Sequence, residues 1–430
     1  MSESTAAPSV ASPRLRRLLS QVRARGDSAL ERFWREVADE GAPLVEGVAG
    51  APEERLVTVV WRQDRPVEGV YLLANRVTDK HLAPRGMMRR LDGTDLWYVS
   101  LRLPLGLRCS YRIHPFTADD PHITSRGPRR GTARGLPDDR SDPLNHRAGG
   151  PFGSMIELDG APSLTEWHTE PHPAPGTDTF GLLTADGTTY RVRRFVPVTG
   201  SGTEAGTRAG TEPAARLPLL VLLDGEKWFD QYGVTSALTA AVAAGRIPPM
   251  AVLGIEAGAD TAQRMRQLGA NPRFIDALAD EVVPAVTADL PGWAGPRRTI
   301  LCGQSLGGLT ALAAALRRPT AFGTVLAHSA STWWRPGMNT RPQELESGRD
   351  TWLHEQAAAV PVGEVSIRMD VGSNEGTILD DMSSLHALMS ARGFTASLNV
   401  YSGGHDHCCW AAALVDGLAA TCAEWHTSPV

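Results

Sequence analysis

The chain has 430 residues, which at roughly 100–200 residues per domain means two domains or three. Hydrophobic residues make up 42% and charged residues 21%, the balance of a globular protein able to bury a sizeable core. Lys+Arg is 43 against 48 for Asp+Glu, a net charge of -5, which excludes the basic excess of a general nucleic-acid binder. No apolar run approaches the ~20 residues of a membrane helix. The longest, residues 217–223, has the length of a strand.

The first dozen residues are rich in Ser, Ala and Pro and are expected to lack structure. Residues 1–17 contain no apolar h-region, so no secretory signal is expected. Residues 13–38 read as one amphipathic helix, with Leu15, Leu18, Leu19, Val22, Leu30 and Phe33 near helical spacing. Short β-type runs follow at 56–61, 67–73, 95–101 and 109–113, separated by Gly, Pro and Asp turns. Several such strands predict a small all-β sandwich of immunoglobulin-like type. Residues 115–162 are rich in Pro, Gly, Asp and Arg and read as a long linker packed on the surface. A hairpin is expected within 179–198 and a flexible loop insertion over 199–215.

From Leu217 the pattern becomes strand–helix–strand. Strands are expected at 217–223, 250–255, 298–302, 323–328, 365–371 and 396–401, with helices at 234–244 and 274–290 between them. This alternation is the mark of an α/β domain with a mostly parallel sheet flanked by helices. The expected organisation is a helix plus sandwich over 14–150, a linker over 151–175 and an α/β-hydrolase domain over 176–430.

The strongest local signal is Gly303-Gln304-Ser305-Leu306-Gly307, a G-x-S-x-G between an expected strand and an Ala-rich helix. A nucleophile on such a turn needs small flanking residues, so that the backbone can reverse and keep the hydroxyl exposed. The helix start also favours developing negative charge. The base for Ser305 is expected downstream at His405, which follows the strand at 396–401 and the pair Gly403-Gly404; His407 is its competitor. The acid is expected between them, after another strand. Asp370 and Glu375 both qualify, and Glu375, in the loop, is favoured. Oxyanion donors are expected from the backbone of Leu306 and from the turn at Gly225 and Glu226. His168-Thr169-Glu170-Pro171-His172 and His405-Asp406-His407-Cys408-Cys409 lack zinc-site spacing, so no metal is expected. The cysteines are Cys109, Cys302, Cys408, Cys409 and Cys422. Their odd number and one adjacent pair make a poor disulfide framework, and reduced thiols in a cytoplasm are the expectation.

On these residues the chain resembles the enterochelin esterase family. In the second half the resemblance rests on Leu223-Asp224-Gly225-Glu226-Lys227-Trp228, Asn271-Pro272-Arg273-Phe274, Gly303–Leu309, Ser331-Thr332-Trp333-Trp334 and Gly403-Gly404-His405-Asp406. In the first half it rests on Val57–Arg62, Asn75-Arg76-Val77-Thr78-Asp79 and Gly93–Trp97, with Asp142-Pro143-Leu144-Asn145 following. The resemblance implies a cytoplasmic serine esterase with the triad Ser305, Glu375 and His405. The implied substrate is a catecholate siderophore, ferric or metal-free, built as a trimer of acylated serine joined by esters. Iron(III) enters only as part of that substrate, and no cofactor, nucleic acid or membrane partner is implied. Arg264 and Arg266 are placed to meet the anion, and Trp228, Trp333 and Trp334 its aromatic groups. Gln267 and Ala411 depart from the family pattern and bear on the identity of the siderophore. A carbohydrate or feruloyl-type esterase and a catalytically silent siderophore-binding protein are the rival readings.

Overall fold

A computed structural model describes residues 11–124, 127–128, 140–167, 175–197, 217–258, 260–290, 292–339, 345, 348 and 350–427. The expected loop at 199–215 and the His168–His172 group lie outside them, as do the first ten residues. The chain divides into two compact units, Met1–Ala161 with Ser402–Asp406, and Pro162–Tyr401 with His407–Val430.

The first unit opens with two helices where one is expected. α1 (Pro13–Arg25) is capped by Ser12, whose hydroxyl accepts from the Leu15 N–H at 3.2 Å, with Pro13 in the first turn. Gly26 (φ 63°, ψ -147°) then breaks the chain direction before α2 (Asp27–Glu40). The apolar stripe runs through both helices, which is why periodicity alone merges them. Leu15 and Leu18 of α1 share one core with Leu30, Phe33, Trp34 and Val37 of α2.

Seven strands form the sandwich: β1 (Leu44–Gly47), β2 (Glu54–Arg62), β3 (Gly69–Ala74), β4 (Arg89–Arg90), β5 (Leu96–Pro104), β6 (Arg108–Phe116) and β9 (Met155–Glu157). A small pairing of β7 (Ile123–Thr124) with β8 (Gly127–Pro128) precedes the last. The sheets run β1-β2-β5-β4 and β3-β6-β9. In chain order these are the A-B-E-D and C-F-G sheets of a constant-type immunoglobulin sandwich. β2 is apolar on both faces for a reason. Val57, Val59 and Trp61 point into the sandwich core, while Val60 faces the cluster formed with α1 and α2.

The expected linker at 115–162 is corrected by this arrangement. β9 is cut from it, and its Ile156 is fully buried in the sandwich core. Asp142 and Asn145 are buried too. Tyr111 donates to Asp142 (2.6 Å), and the Asn145 amide donates to Tyr111 (3.1 Å) and to the Met155 carbonyl (2.9 Å). A Pro/Gly-rich stretch thus closes the sandwich through side-chain hydrogen bonds, which leave no hydrophobic period to read.

The second unit is built on one eight-stranded sheet. β10 (Thr177–Leu183) and β11 (Thr189–Phe195) form an antiparallel hairpin. β12 (Leu219–Leu223), β13 (Ala251–Ile255), β14 (Thr299–Gln304), β15 (Thr324–His328), β16 (Ser366–Gly372) and β17 (Ala396–Tyr401) are parallel to one another. The order is β10-β11-β13-β12-β14-β15-β16-β17, an α/β-hydrolase sheet. Leu219, Val221 and Leu223 of β12 share a core with α5 (Pro272–Ala277), α6 (Val283–Ala288), α7 (Leu306–Arg317), α8 (Trp352–Ala359) and α9 (Thr377–Arg392). α3 (Val234–Ala243) and α4 (Thr261–Leu268) follow β12 and β13. α10 (His407–Thr427) packs so closely on β15 that a Cβ at Gly417 would lie 3.2 Å from Leu326.

Candidate active site

Three strands that are neighbours in the sheet, β12, β14 and β15, each end in a non-glycine residue with positive φ: Asp224 (58°), Ser305 (57°) and Ser329 (45°). Each such residue costs about 1–3 kcal/mol, and strain of this kind collects at functional sites. Here it collects along one edge of one sheet.

Ser305 sits between β14 and α7 at φ 57° and ψ -116°. Its N–H donates to the His328 carbonyl at 2.9 Å, and its carbonyl accepts from the Ser331 N–H at 2.9 Å. Crowding explains the glycines. A Cβ at Gly303 would lie 2.2 Å from the Gly307 carbonyl oxygen, and one at Gly308 would lie 2.9 Å from the His328 oxygen. Gly307 meets only ordinary contact, with Leu223 at 3.4 Å. Ser305 is half-buried among buried neighbours, and its hydroxyl lies 3.2 Å from that of Ser331. No side chain caps the first turn of α7, so the N–H of Leu306 keeps the donor character of a helix start.

The turn after β12 carries the other expected donors. Gly225 is required by packing and not by its own φ: a Cβ there would lie 2.5 Å from the Gly254 carbonyl carbon. Asp224 takes the positive φ instead. Its fully buried carboxylate accepts a two-pronged bond from Arg264 (2.5 and 2.7 Å), lies 3.6 Å from the Lys227 ammonium and accepts from Gln304 at 3.2 Å. Burial alone would raise this carboxyl, but the hydrogen bonds and charge of Arg264 hold it below the ordinary range. Gln304 in turn accepts from the Trp228 indole at 3.2 Å. The turn is therefore tied to the residue preceding Ser305. Glu226, beside it, accepts from the Ala257 N–H at 3.1 Å, and burial raises its carboxyl.

Of the two expected acids, Asp370 lies within β16 and is fully buried. Both of its oxygens are occupied by Arg368 (3.2 Å each), and one also by Asn399 (2.8 Å). Glu375 lies in the loop beyond the strand. Its Oε1 accepts from the Ser329 hydroxyl (2.6 Å) and the Gly372 N–H (2.9 Å), with the Tyr401 hydroxyl at 3.4 Å. Ser329 itself accepts from the Trp410 indole at 2.8 Å. Burial, reinforced by the Glu375 charge, raises the Tyr401 phenol well above its ordinary value, so it stays a neutral donor.

His405 lies in the short segment that joins β17 to α10 in sequence, and this segment belongs to the first unit. The Asn75 amide donates to the His405 carbonyl at 3.0 Å. Asp406 accepts from the N–H and hydroxyl of Ser110, both at 2.7 Å, and the Arg108 N–H donates to the Ser402 carbonyl at 3.1 Å. The competitor His407 stacks on Tyr232 with ring centroids 4.6 Å apart.

The expected ligand contacts separate into two groups. Trp228 and Trp334 are fully buried in the second unit, Trp228 against Trp167 and Trp334 against Trp333, and neither offers a face to a ligand. Arg264 is turned inward onto Asp224. Arg266 is exposed on α4, and Trp333 is partly exposed. Large aromatics and arginines near a motif look alike in sequence whether they pack inward or outward. Sequence reasoning gives Gln304, Ser329, Ser331, Tyr401 and Trp410 no role of their own, because each acts through a partner distant in the chain. The five cysteines are all buried, and none of them forms a disulfide. No helix among the described residues is long and apolar enough to cross a membrane.

A family model described as putative esterase matches residues 209–421, and one described as the N-terminal part of enterochelin esterase matches residues 56–167. An iron(III) salmochelin esterase of Escherichia coli O6:H1 is 37% identical over 411 residues, covering 93% of this chain and 96% of that protein. The chain belongs to the enterochelin esterase family. It is a carboxylic ester hydrolase. Among other members, an iron(III) enterobactin esterase of Dickeya dadantii is 31% identical over 422 residues, covering 90% of this chain and 92% of that protein. A Shigella flexneri enterobactin esterase, crystallised in the presence of enterobactin, is 28% identical with a TM-score of 0.73, covering 92% of this chain and 98% of that one. The ferric enterobactin esterase of Salmonella typhimurium is 27% identical with the same TM-score of 0.73, covering 93% and 100%.

Proposed function

We propose that this enterochelin esterase family member hydrolyses the ester bonds of a catecholate siderophore built on a tri-serine lactone, ferric or metal-free, inside the cell. The observation that carries the reading is full-length likeness, sandwich included, to an enzyme crystallised in the presence of enterobactin. The same Shigella enzyme was crystallised in the presence of 2,3-dihydroxy-N-benzoyl-serine. That compound is the monomer complete hydrolysis of an acyl-serine trilactone leaves behind.

In this reading Ser305 is the nucleophile, His405 the base and Glu375 the acid. The Ser305 oxygen bonds to the lactone carbonyl carbon as its proton passes to His405. The oxyanion is met by the Leu306 N–H and by an N–H of the Gly225–Glu226 turn. One such donor is worth roughly 10²–10³ in rate. The intermediate collapses by expelling the neighbouring serine alkoxide, which takes the proton from His405, and water then releases the acyl group. Glu375 orients the imidazole and supports its charge. Its preference over Asp370 rests on the salt link and amide that occupy Asp370. Arg266 and Trp333 are the ligand contacts of this proposal. Opening the esters loosens a hexadentate chelate, which favours release of the iron.

Incubation with ferric and metal-free trilactone, followed by mass spectrometry, tests this directly. Stepwise gain of water to trimer, dimer and monomer is expected, and Ser305→Ala should lower it by at least about 10⁴-fold. Undiminished hydrolysis by that variant rules out the nucleophile. Cleavage of a generic ester but of neither siderophore form rules out the substrate.

A further inference from the structure

We infer that the β-sandwich unit seats the segment carrying His405, with Asn75 and Gly404 as positioning residues of the hydrolysis. The inference rests on His405 being the base, as proposed above. In the chain, Ser402–Asp406 lies between a strand and a helix of the hydrolase unit, yet it is a compact part of the sandwich unit. That unit tethers it along its whole length. At its start, the backbone of Gly403 bridges Arg108 of β6 in parallel fashion, and the Arg108 N–H donates to Ser402. At its end, Asp406 is 7% exposed and accepts twice from Ser110 of β6. Between them, the Asn75 amide donates to the carbonyl of His405 itself.

The turn after β3 supplies shape as well as a donor. Arg76 is held at φ 57°, and the Asn75 N–H is fixed by the Ser110 carbonyl at 3.1 Å. A Cβ at Gly404 would lie 2.5 Å from Arg76 Cγ, 2.6 Å from Arg76 Cβ and 2.9 Å from Asn75 Oδ1. Gly404 has no positive φ to accommodate. Its lack of a side chain answers to Arg76 and Asn75, not to its own backbone. The residue before the base is thus pressed onto a turn of the sandwich, and the base's own carbonyl is bonded to that turn. Rotation or lift of this segment moves the imidazole directly, and a displacement near 1 Å at a reacting group costs about 10²-fold in rate.

The test uses the full-length enzyme with p-nitrophenyl butyrate, with kcat and KM measured separately and thermal melting alongside. Gly404→Ala should lower kcat about 10²-fold while leaving KM within about twofold. Arg76→Gly removes both crowding carbons at a position where glycine is at ease. The double variant Gly404→Ala/Arg76→Gly should therefore regain at least about tenfold over Gly404→Ala, a coupling expected only of residues in contact. Asn75→Ala, which removes the donor to His405 together with the Oδ1 that borders Gly404, should lower kcat about tenfold, again with KM held. It carries the test if Gly404→Ala does not fold. Wild-type kcat in both Gly404→Ala and Asn75→Ala overturns the inference, as does a double variant no faster than Gly404→Ala. His405→Ala separates the two levels. Full activity there overturns the role of His405 and this inference with it. An inactive His405→Ala beside an unimpaired Gly404→Ala and Asn75→Ala overturns the seating alone.

Discussion

Ser305 is held by its own tight turn and by residues at and just past the end of the next strand of the same sheet, His328 and Ser331, whereas His405 is tethered to a turn 330 positions away in the chain. Around Ser305 the strand, the reversal and the helix all lie in one continuous stretch, Thr299–Arg317. Gly303 fits because a Cβ there would lie 2.2 Å from the Gly307 carbonyl oxygen. Around His405 the local sequence supplies only permissiveness, in Gly403 and Gly404, and the position comes from Asn75, Arg76, Arg108 and Ser110. The contrast shows two ways of fixing a side chain's position. Local strain is compact and leaves a motif. A remote scaffold leaves none.

The strongest way to break this contrast is at the serine. If the turn is held by local crowding, the two glycines of the motif are not equivalent. Gly303→Ala drives a Cβ to 2.2 Å from the Gly307 oxygen, backbone against backbone, where nothing flexible can yield. The expected cost is about 3 kcal/mol of stability and at least about 10² in kcat. Gly307→Ala meets Leu223 at 3.4 Å and gains helix propensity of about 1 kcal/mol, so its melting temperature should hold or rise. Equal damage from the two substitutions, measured by thermal melting, would show that the crowding is not what selects glycine.

A somewhat smaller effect sharpens the comparison at the oxyanion turn, which combines both modes. Asp224 is strained locally but neutralised from α4 by Arg264. Arg264→Met leaves a fully buried carboxylate with the Gln304 amide at 3.2 Å and the Lys227 ammonium at 3.6 Å, and about 3 kcal/mol of stability should go with it. Arg264→Lys keeps the charge, loses the two-pronged geometry and should cost less. Urea unfolding of the two variants decides this. Wild-type stability in Arg264→Met would return Arg264 to the ligand-contact role its sequence neighbourhood implies.

Much of the fold was legible where hydrophobic period and element length agree. β17 matches its expected run of 396–401, and β12 is a continuous apolar strand because both of its faces are covered. The break at Gly26 was not legible, since the apolar stripe continues across it into the same core. β9 was not, since three residues in a Pro/Gly-rich stretch join the sandwich through Asp142, Asn145 and Tyr111 and not through a pattern. At the candidate site, the strained strand-to-helix turn at Ser305 was legible from its motif, and the loop that carries His405 from a strand followed by two glycines. The support of Glu375 by Ser329, Tyr401 and Trp410 was not, because hydrogen bonds across 26 to 81 positions have no spacing to recognise. Trp228 and Trp334 illustrate the converse: their place beside motif residues invited a ligand role, and the core claimed them.

The smallest effect at neutral pH lies directly beneath the serine turn. His328 is fully buried; its carbonyl holds the Ser305 N–H, while its ring Nδ1 lies 4.0 Å from the Cys302 sulfur and its Nε2 3.9 Å from Asp370. Nε2 has no hydrogen-bond partner among the described residues. Burial pushes this imidazole down to about 4, against the pull of Asp370 and with a lesser push from Arg368. The unfolded chain binds a proton here near the ordinary value of about 6.5, and the folded chain does not until about 4. The folded state therefore keeps its full stability above about pH 6.5 and loses it progressively as the pH falls, by about 3 kcal/mol at pH 4. Comparing urea unfolding at pH 7.5 and 4.5 for the wild type and His328→Gln isolates this group, because every other titration is common to both. The wild type should lose about 2–3 kcal/mol more than the variant. Equal losses would mean that the core beneath the serine accepts a charged imidazole. The strain on Ser305 would then rest on a softer floor than its glycines imply.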